Sequence, residues 1–329
     1  NIYGLNQSSG YFIGIDICHS HVNIGVTDFK GELISEELSI PFTESQPQER
    51  FQRLCEIINQ FIHKSKVPKH KILSMGINIS GRVNTLTGHS YSSFYFDERP
   101  LTEMFENELN INVSIDNDSR AMTYGEYIKG CVNGEKNILY VNVSWGLGLG
   151  IIVGGQLYYG KSGFSGEFGH IPAFGNEILC HCGKKGCLET EASGLALHRK
   201  FLEKLHSGHS SLLTQKNGYD PKAPVSLNDI IEVALQEDML AIELIEEIGN
   251  SLGKHIAGLI NLFNPELVVI GGTLAYAGDY LMLPLRSAIR KYSLNLVSKD
   301  STIKVSKLGE KAGLLGASLL ARSKFIGLI

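Results

Sequence analysis

A β-β-β-α-β-α-β pattern that occurs twice, at an offset near half of the 329-residue chain, predicts an α/β protein built from two related lobes. Three observations carry this reading. Each half opens with short apolar strands in quick succession, tight turns rich in glycine join them, and helical patterns then alternate with single buried strands. Two such lobes are expected to face one another across a cleft, and a cleft of that kind is where ligands are expected to bind.

In the first half, "YFIGIDI" (11–17), "HVNIGVTD" (21–28) and "ELISEELSI" (32–40) read as three strands, with a turn at Lys30-Gly31. A helical pattern follows over 48–66. "KILSMGINIS" (71–80) is a buried strand, "LTEMFENELN" a helix, "INVSID" a strand, and "DSRAMTYGEYIKG" a helix with small and apolar residues at helical spacing. In the second half, "NILYVNVS", "LGIIVGG" and "GQLYYG" (155–160) repeat the strand triplet. A cysteine-rich loop and several helices come next, then the strand "ELVVIGG", a helix, the strand "TIKVSKL" and a final helix from Lys311. The polar stretch "HSGHSSLLTQKNGYDPKAPVS" reads as a surface insertion between helices.

With 43% hydrophobic and 19% charged residues the composition is that of an ordinary globular protein, long enough for two cores. No apolar run reaches the length of a membrane span, and "NIYGLNQSSG" is polar where a signal segment would be basic and then apolar. A cytoplasmic protein with no membrane partner is expected. Cys18, Cys55 and Cys131 lie scattered in apolar or helical patterns, which fits thiols in a reducing compartment. The formal net charge is −4, and basic groups such as Lys64-Ser-Lys66 and Lys184-Lys185 stay short, which argues against a DNA-binding face of its own. The missing initial methionine and the polar opening suggest that residues 1–10 are a leader or the end of a linker.

The segment "HIPAFGNEILCHCGKKGCLE" (170–189) holds three of the six cysteines within eight residues. Three thiols cannot make two disulfides, and Cys180 and Cys182 are too close in the chain to bridge without severe strain. Thiolates and a neutral imidazole are preferred zinc ligands, and the H-x9-C-x-C-x4-C spacing supplies His170, Cys180, Cys182 and Cys187, a closed tetrahedral set with glycines in the tight loop. A structural zinc is expected. The other reading of the same residues is a reduced, metal-free loop.

The chain resembles the ROK family of bacterial sugar kinases and sugar-responsive repressors over nearly its whole length. The most specific stretch is "GEFGHIPAFGNEILCHCGKKGCLETEAS", similar to the family's E-x-G-H followed by C-x-C-G-x-x-G-C-x-E. "GIDI", "DNDSRAMTYGE" and "NPELVVIGGTLAYAGDYL" match further family segments. The resemblance implies a two-lobed actin-like and hexokinase-like (ribonuclease H-like) fold. Its expected limits are a first lobe over 11–134, joined by the returning helix 312–329, and a second lobe over 135–311 carrying the zinc loop 170–187.

It also implies that Gly81, Asn117, Asp118, Glu167, His170 and Glu189 bind a sugar, with one ring nitrogen of His170 on metal and the other on a sugar hydroxyl. The Asn117-Asp118 pair serves equally well as a helix cap, and Glu189 as an acid near a helix start. In the family's kinases the first strand's Asp is followed by x-Gly-Gly-Thr-Lys. Here Asp16-Ile17-Cys18-His19-Ser20-His21 stands in that place. The second phosphate loop of the kinases has a Gly-Thr-Gly core, against Gly146-Leu147-Gly148 here, and Gly271 and Gly272 complete a degenerate nucleotide side. The remaining glycines fit tight strand packing as well as they fit phosphate.

The resemblance therefore points to the sugar-sensing part of a regulator. Its expected partners are a small-molecule sugar effector, further copies of itself as a dimer or tetramer, and DNA only through an N-terminal segment that this chain does not contain. The alternative is an ATP-dependent hexose or N-acyl-hexosamine kinase with Asp118 as general base and Mg-ATP as co-substrate.

Overall fold

Strands β1 (Tyr11–Ile17), β2 (His21–Asp28) and β3 (Leu33–Pro41) form an antiparallel meander whose first two strands are almost wholly buried. The computed structural model describes residues 4–215, 220 and 223–328 of the chain, which divides into two units. One consists of Asn1–Val132, Leu157–Ser165 and Lys307–Ile329, the other of Asn133–Gln156 and Gly166–Ser306.

In the first unit, helix α1 (Pro47–Ser65) starts at a proline, which suits a first helical turn whose N–H has no partner, and ends at Lys66 in a left-handed conformation. Strand β4 (Ile72–Ile79) follows, then a small hairpin of β5 (Val83–Asn84) and β6 (His89–Ser90) that the sequence pattern does not announce. Helix α2 (Leu101–Leu109), strand β7 (Val113–Asn117) and helix α3 (Asp118–Lys129) complete the pattern. The sheet order is β3-β2-β1-β4-β7, with β4 parallel to both β1 and β7.

The second unit repeats this plan. Strands β8 (Ile138–Val143), β9 (Leu147–Val153) and β10 (Gln156–Leu157) precede helices α4 (Gly194–His206), α5 (Leu212–Gln215), α6 (Leu227–Leu235) and α7 (Met239–Phe263). Strand β11 (Leu267–Gly271), helices α8 (Asp279–Tyr292) and α9 (Asn295–Asp300) and strand β12 (Thr302–Val305) follow. The order β10-β9-β8-β11-β12 matches that of the first sheet strand for strand, so the duplicated unit expected from the sequence is present. The third strand of the second triplet is much shorter than the pattern suggests. From Leu157 the chain joins the first unit, where the Tyr159 hydroxyl donates to Asp116 (3.1 Å) and Arg120 Nη1 donates to the Gly163 carbonyl (2.7 Å). The segment 157–165 thus leaves the span expected for the second lobe. Of the polar stretch 206–226, residues 216–219, 221 and 222 lie outside the described residues, as do 1–3 of the expected leader and 329 of the last helix.

The last helix, α10 (Lys311–Phe325), belongs to the first unit and is buried on almost every face from Ala312 to Ala321. It is built of small residues because backbone touches backbone. A Cβ on Gly14 would lie 1.9 Å from the Leu314 carbonyl oxygen, one on Gly76 2.2 Å from that of Ala317, and one on Gly316 1.8 Å from that of Ala121. Polar side chains inside this contact find each other: Thr27 Oγ1 lies 2.5 Å from Ser318 Oγ, and Asn78 donates to the Gly313 carbonyl at 2.8 Å.

Gly14→Ala and Gly76→Ala should each lower stability by at least about 2 kcal/mol through overpacking. Gly258→Ala, on an exposed helix position with nothing within 4 Å of the added carbon, should be neutral or stabilising. Urea-unfolding midpoints of the three variants check this, and equal loss in all of them would refute the packing argument.

Candidate ligand-binding and metal sites

In the first unit the residues of interest gather where the strands end and α3 begins. Asn117 caps α3, its side-chain oxygen accepting from the Ser119 and Arg120 amides, while its amide group donates to the Gly81 carbonyl at 3.1 Å. The capping role considered for this residue is therefore real, and it fixes the position of the Gly81 loop. Gly81 has φ +91, a conformation that disfavours side chains. Asp118, half-buried, accepts from Ser80 Oγ (2.7 Å) and from the Ser119 amide (2.7 Å), which orients its carboxylate. Ser80 escaped the sequence reading because nothing in "GINIS" distinguishes a hydroxyl that orients an acid from one on a strand end.

Asp16 lies next to the last residue of β1 on the same sheet, in register with Asn78 on the adjacent strand β4. The carboxyl is buried, and a Cβ on Gly313 would lie 2.1 Å from it, so the first turn of α10 closes over the acid. Cys18, in the place of a kinase glycine, directs its thiol at Asp16 Oδ2 (3.6 Å). Oδ1 of Asp16 and Oδ1 of Asn78 are both buried without a hydrogen-bond partner. Burial first, and then repulsion from Asp118, push the Asp16 carboxyl up to about 7. Ser20 is exposed beyond this turn, and its carbonyl accepts from the Phe42 amide.

In the second unit the turn Ser144–Gly146 joins β8 to β9, and its backbone groups are held by the protein itself. The carbonyls of Ser144 and Trp145 accept from the amides of Gly194 and Leu195, both at 2.8 Å. The Leu147 amide donates to Glu189 Oε2 at 2.8 Å, and the Leu147 side chain lies in the hydrophobic core. Gly146 is the seat of that carboxylate: a Cβ there would come within 2.8 Å of Glu189 Oε2. Gly148 pairs with Asn142 inside the β8–β9 ladder. Gly271 and Gly272 leave room for Tyr140, Asn142 and Ser144, whose side-chain oxygens would lie 2.0 to 2.6 Å from added carbons.

Cys180, Cys182, Cys187 and His170 place their sulfurs and one ring nitrogen within 4.8 Å of one another. Cys180 Sγ is 3.6 Å from His170 Nδ1, and Cys182 Sγ is 3.6 Å from Cys187 Sγ. Ligands about 2.3 Å from a tetrahedral zinc are separated by about 3.8 Å, so these edges have the right length for that ion. The loop is shaped for it. Backbone bonds link Cys180 to Lys184 and Gly183 back to Cys180, and Gly186 (φ +71) has no room for a side chain, since a Cβ would lie 2.1 Å from the Phe174 carbonyl oxygen. The second ring nitrogen of His170 faces the exposed Glu167, 3.7 Å away.

Glu189 is buried, with its other oxygen 3.0 Å from His181 Nδ1. Burial raises its pKa, but the hydrogen bonds from His181 and the Leu147 amide outweigh it and hold the carboxylate below the usual range. His170, His181 and Glu189 form a second convergent group. The role of His181 was missed by the sequence reading, and its signal was only its place between two cysteines.

The fold of the chain is the actin-like and hexokinase-like α/β architecture of sugar kinases. It aligns with the structure of a ROK-family glucokinase from Streptomyces griseus, in complex with glucose and AMPPNP, at a TM-score of 0.84, with 27% identity over 95% of this chain and 100% of that one. A ROK-family transcriptional regulator, a homologue of the E. coli MLC protein, aligns at 0.82 with 28% identity over 98% of this chain and 80% of that one. The xylose repressor of Caldicellulosiruptor bescii is 29% identical over 98% of this chain and 80% of its own length. The ROK family model matches residues 12–324, and the chain belongs to the ROK family.

The Asp16 environment gives a stability profile with a definite sign. A carboxyl raised from 3.8 to about 7 binds its proton more tightly when folded. Its stabilising effect is thus complete below about pH 4 and is lost as pH rises through about 7. Asp16→Asn keeps the shape and can donate to Asn78. At pH 8 this variant should melt higher than the parent chain, and the difference should shrink towards pH 5. Melting curves across that range check it, and a variant less stable at pH 8 would contradict the assignment.

Proposed function

We propose that this chain is the sugar-binding, oligomerising effector part of a ROK-family regulator of carbohydrate metabolism, and that it does not phosphorylate its sugar at a useful rate. The observation that carries this reading is the state of the two phosphate loops. Phosphoryl transfer rests on backbone donors and charge placed around the transferring group. Here Cys18 lies against the acid of the first loop, and in the second the threonine position is a core leucine whose amide is already bound to Glu189. If each loop forfeits about 3 kcal/mol of transition-state stabilisation, the rate falls by a factor on the order of 10⁴. The xylose repressor and the MLC homologue among its relatives support the same role.

The residues proposed for sugar recognition through hydroxyl hydrogen bonds are Gly81, Asn117 and Asp118 in the first unit and Glu167, His170 and Glu189 in the second. A sugar that prefers one conformation of the chain would shift its equilibrium, and that shift is what a regulator transmits. DNA would be reached through a segment outside this chain, and a dimer or tetramer in the cytoplasm is the expected assembly. The kinase reading has its own support: the ROK-family glucokinase aligns as well as the regulator does, and Asp118 is present, oriented by Ser80 and partly accessible, as a general base on a sugar hydroxyl would be.

Calorimetry against glucose, xylose and N-acetylated hexosamines, paired with a coupled assay for ADP release with the same sugars and Mg-ATP, tests the proposal. Binding of at least one sugar without measurable turnover is expected. Turnover of several per second with any of them would establish the kinase reading, and binding of none would overturn the sugar assignment.

His170, Cys180, Cys182 and Cys187 are proposed to hold one structural zinc. Bound zinc would cross-link the loop and so supply stability rather than chemistry. Elemental analysis of protein purified without chelator should find about one zinc per chain. Cys182→Ser should lower both metal content and melting temperature, and a metal content near zero in the parent chain would refute the site.

A further inference from the structure

The Glu189 carboxylate touches both the cysteine loop and the turn between β8 and β9. Oε1 faces His181 Nδ1 at 3.0 Å and Cys180 Sγ at 3.9 Å, inside the cysteine loop. Oε2 accepts the Leu147 amide at 2.8 Å, and the missing side chain of Gly146 leaves it room to do so. A single residue, Leu188, separates Glu189 from the proposed ligand Cys187, and the short turn Leu188–Thr190 is closed by a Thr190-to-Cys187 backbone bond of 3.1 Å. Displacing the cysteines would therefore carry the carboxylate with them. All of these residues lie in the second unit.

We infer that Glu189 is a positioning residue that makes the conformation of the Ser144–Leu147 turn depend on metal in the cysteine loop. The inference rests on the zinc reading above. With the loop cross-linked, the carboxylate is held at the turn and the Leu147 amide stays occupied. With the loop open, a buried N–H loses its acceptor, and the turn gains freedom because an unpartnered donor favours conformations that reach water. The metal thus acts at a distance on the remnant of the nucleotide side, keeping it in the form that a phosphate would have to displace.

The chain carries its own reporter, because its single tryptophan is Trp145, in the middle of this turn and 5.3 Å from the His198 ring. The experiment follows Trp145 emission and acrylamide quenching while zinc is removed with EDTA and restored with zinc chloride, with metal content measured on the same samples. Quenching should rise by about twofold on zinc removal and return on re-addition. Glu189→Gln, which keeps an acceptor for the Leu147 amide, should respond like the parent chain. Glu189→Ala should keep its zinc, show the quenched signal from the start, and no longer respond to chelator. Should that variant fail to fold, His181→Ala alters only an exposed side chain and should reduce the response at least by about half.

A parent chain that loses measured zinc with no change at Trp145 overturns the inference, as does a Glu189→Ala or His181→Ala variant that responds fully. Simple unfolding on chelation would move parent and Glu189→Ala signals alike, which also counts against it. A parent chain that contains no zinc and takes up none refutes the metal reading instead.

Discussion

Backbone contact between α10 and the sheet of the first unit is the constraint on which that unit depends. A helix whose Leu314 and Ala317 carbonyls rest where the Cβ atoms of Gly14 and Gly76 would be leaves no freedom to slide or rotate. Its register fixes Gly313 over Asp16, and Asn78 reaches the Gly313 carbonyl from the next strand. The acid at the end of β1 is sealed by the same contact. Burial then decides its chemistry, because a carboxylate with an unpartnered oxygen is costly in an apolar surround and the neutral acid is not. The result is a covered acid beside a thiol.

The second unit reaches a similar end by other means. Its turn is bound by Gly194 and Leu195 through the Ser144 and Trp145 carbonyls and by Glu189 through the Leu147 amide. Leu147 contributes its side chain to the core, where a threonine hydroxyl would need a partner of its own. In the cysteine loop the sulfurs of Cys180, Cys182 and Cys187 and a ring nitrogen of His170 converge through backbone turns. Retained glycines in this unit serve packing: Gly146 admits a carboxylate, and Gly271 and Gly272 admit Tyr140 and Asn142.

Much of this was legible in the amino-acid sequence. Strands such as "YFIGIDI" and "ELVVIGG" are short apolar runs bounded by turn signals, and the duplicated order followed from them. That His170, Cys180, Cys182 and Cys187 converge was readable from their spacing, which is that of a four-ligand set. The losses have a common cause in partners far apart in the chain. "GQLYYG" looks like a strand, yet Arg120 and Asp116, some forty positions away, capture the segment for the first unit. Cys18 reads as a lost glycine, and only the fold shows its sulfur against Asp16. Glu189 suggested a sugar ligand or a helix-start acid, whereas its hydrogen bonds also run to His181 and the Leu147 amide. Local pattern reports which face is buried, and it is silent on which distant polar group lies there.

The central claim is that the nucleotide side is occupied by the protein's own groups. It is tested most directly by calorimetric titration of the zinc-replete chain with Mg-AMPPNP, in the presence of whichever sugar binds. The account predicts no saturable heat up to millimolar nucleotide. Saturable binding with a Kd in the micromolar range would contradict it.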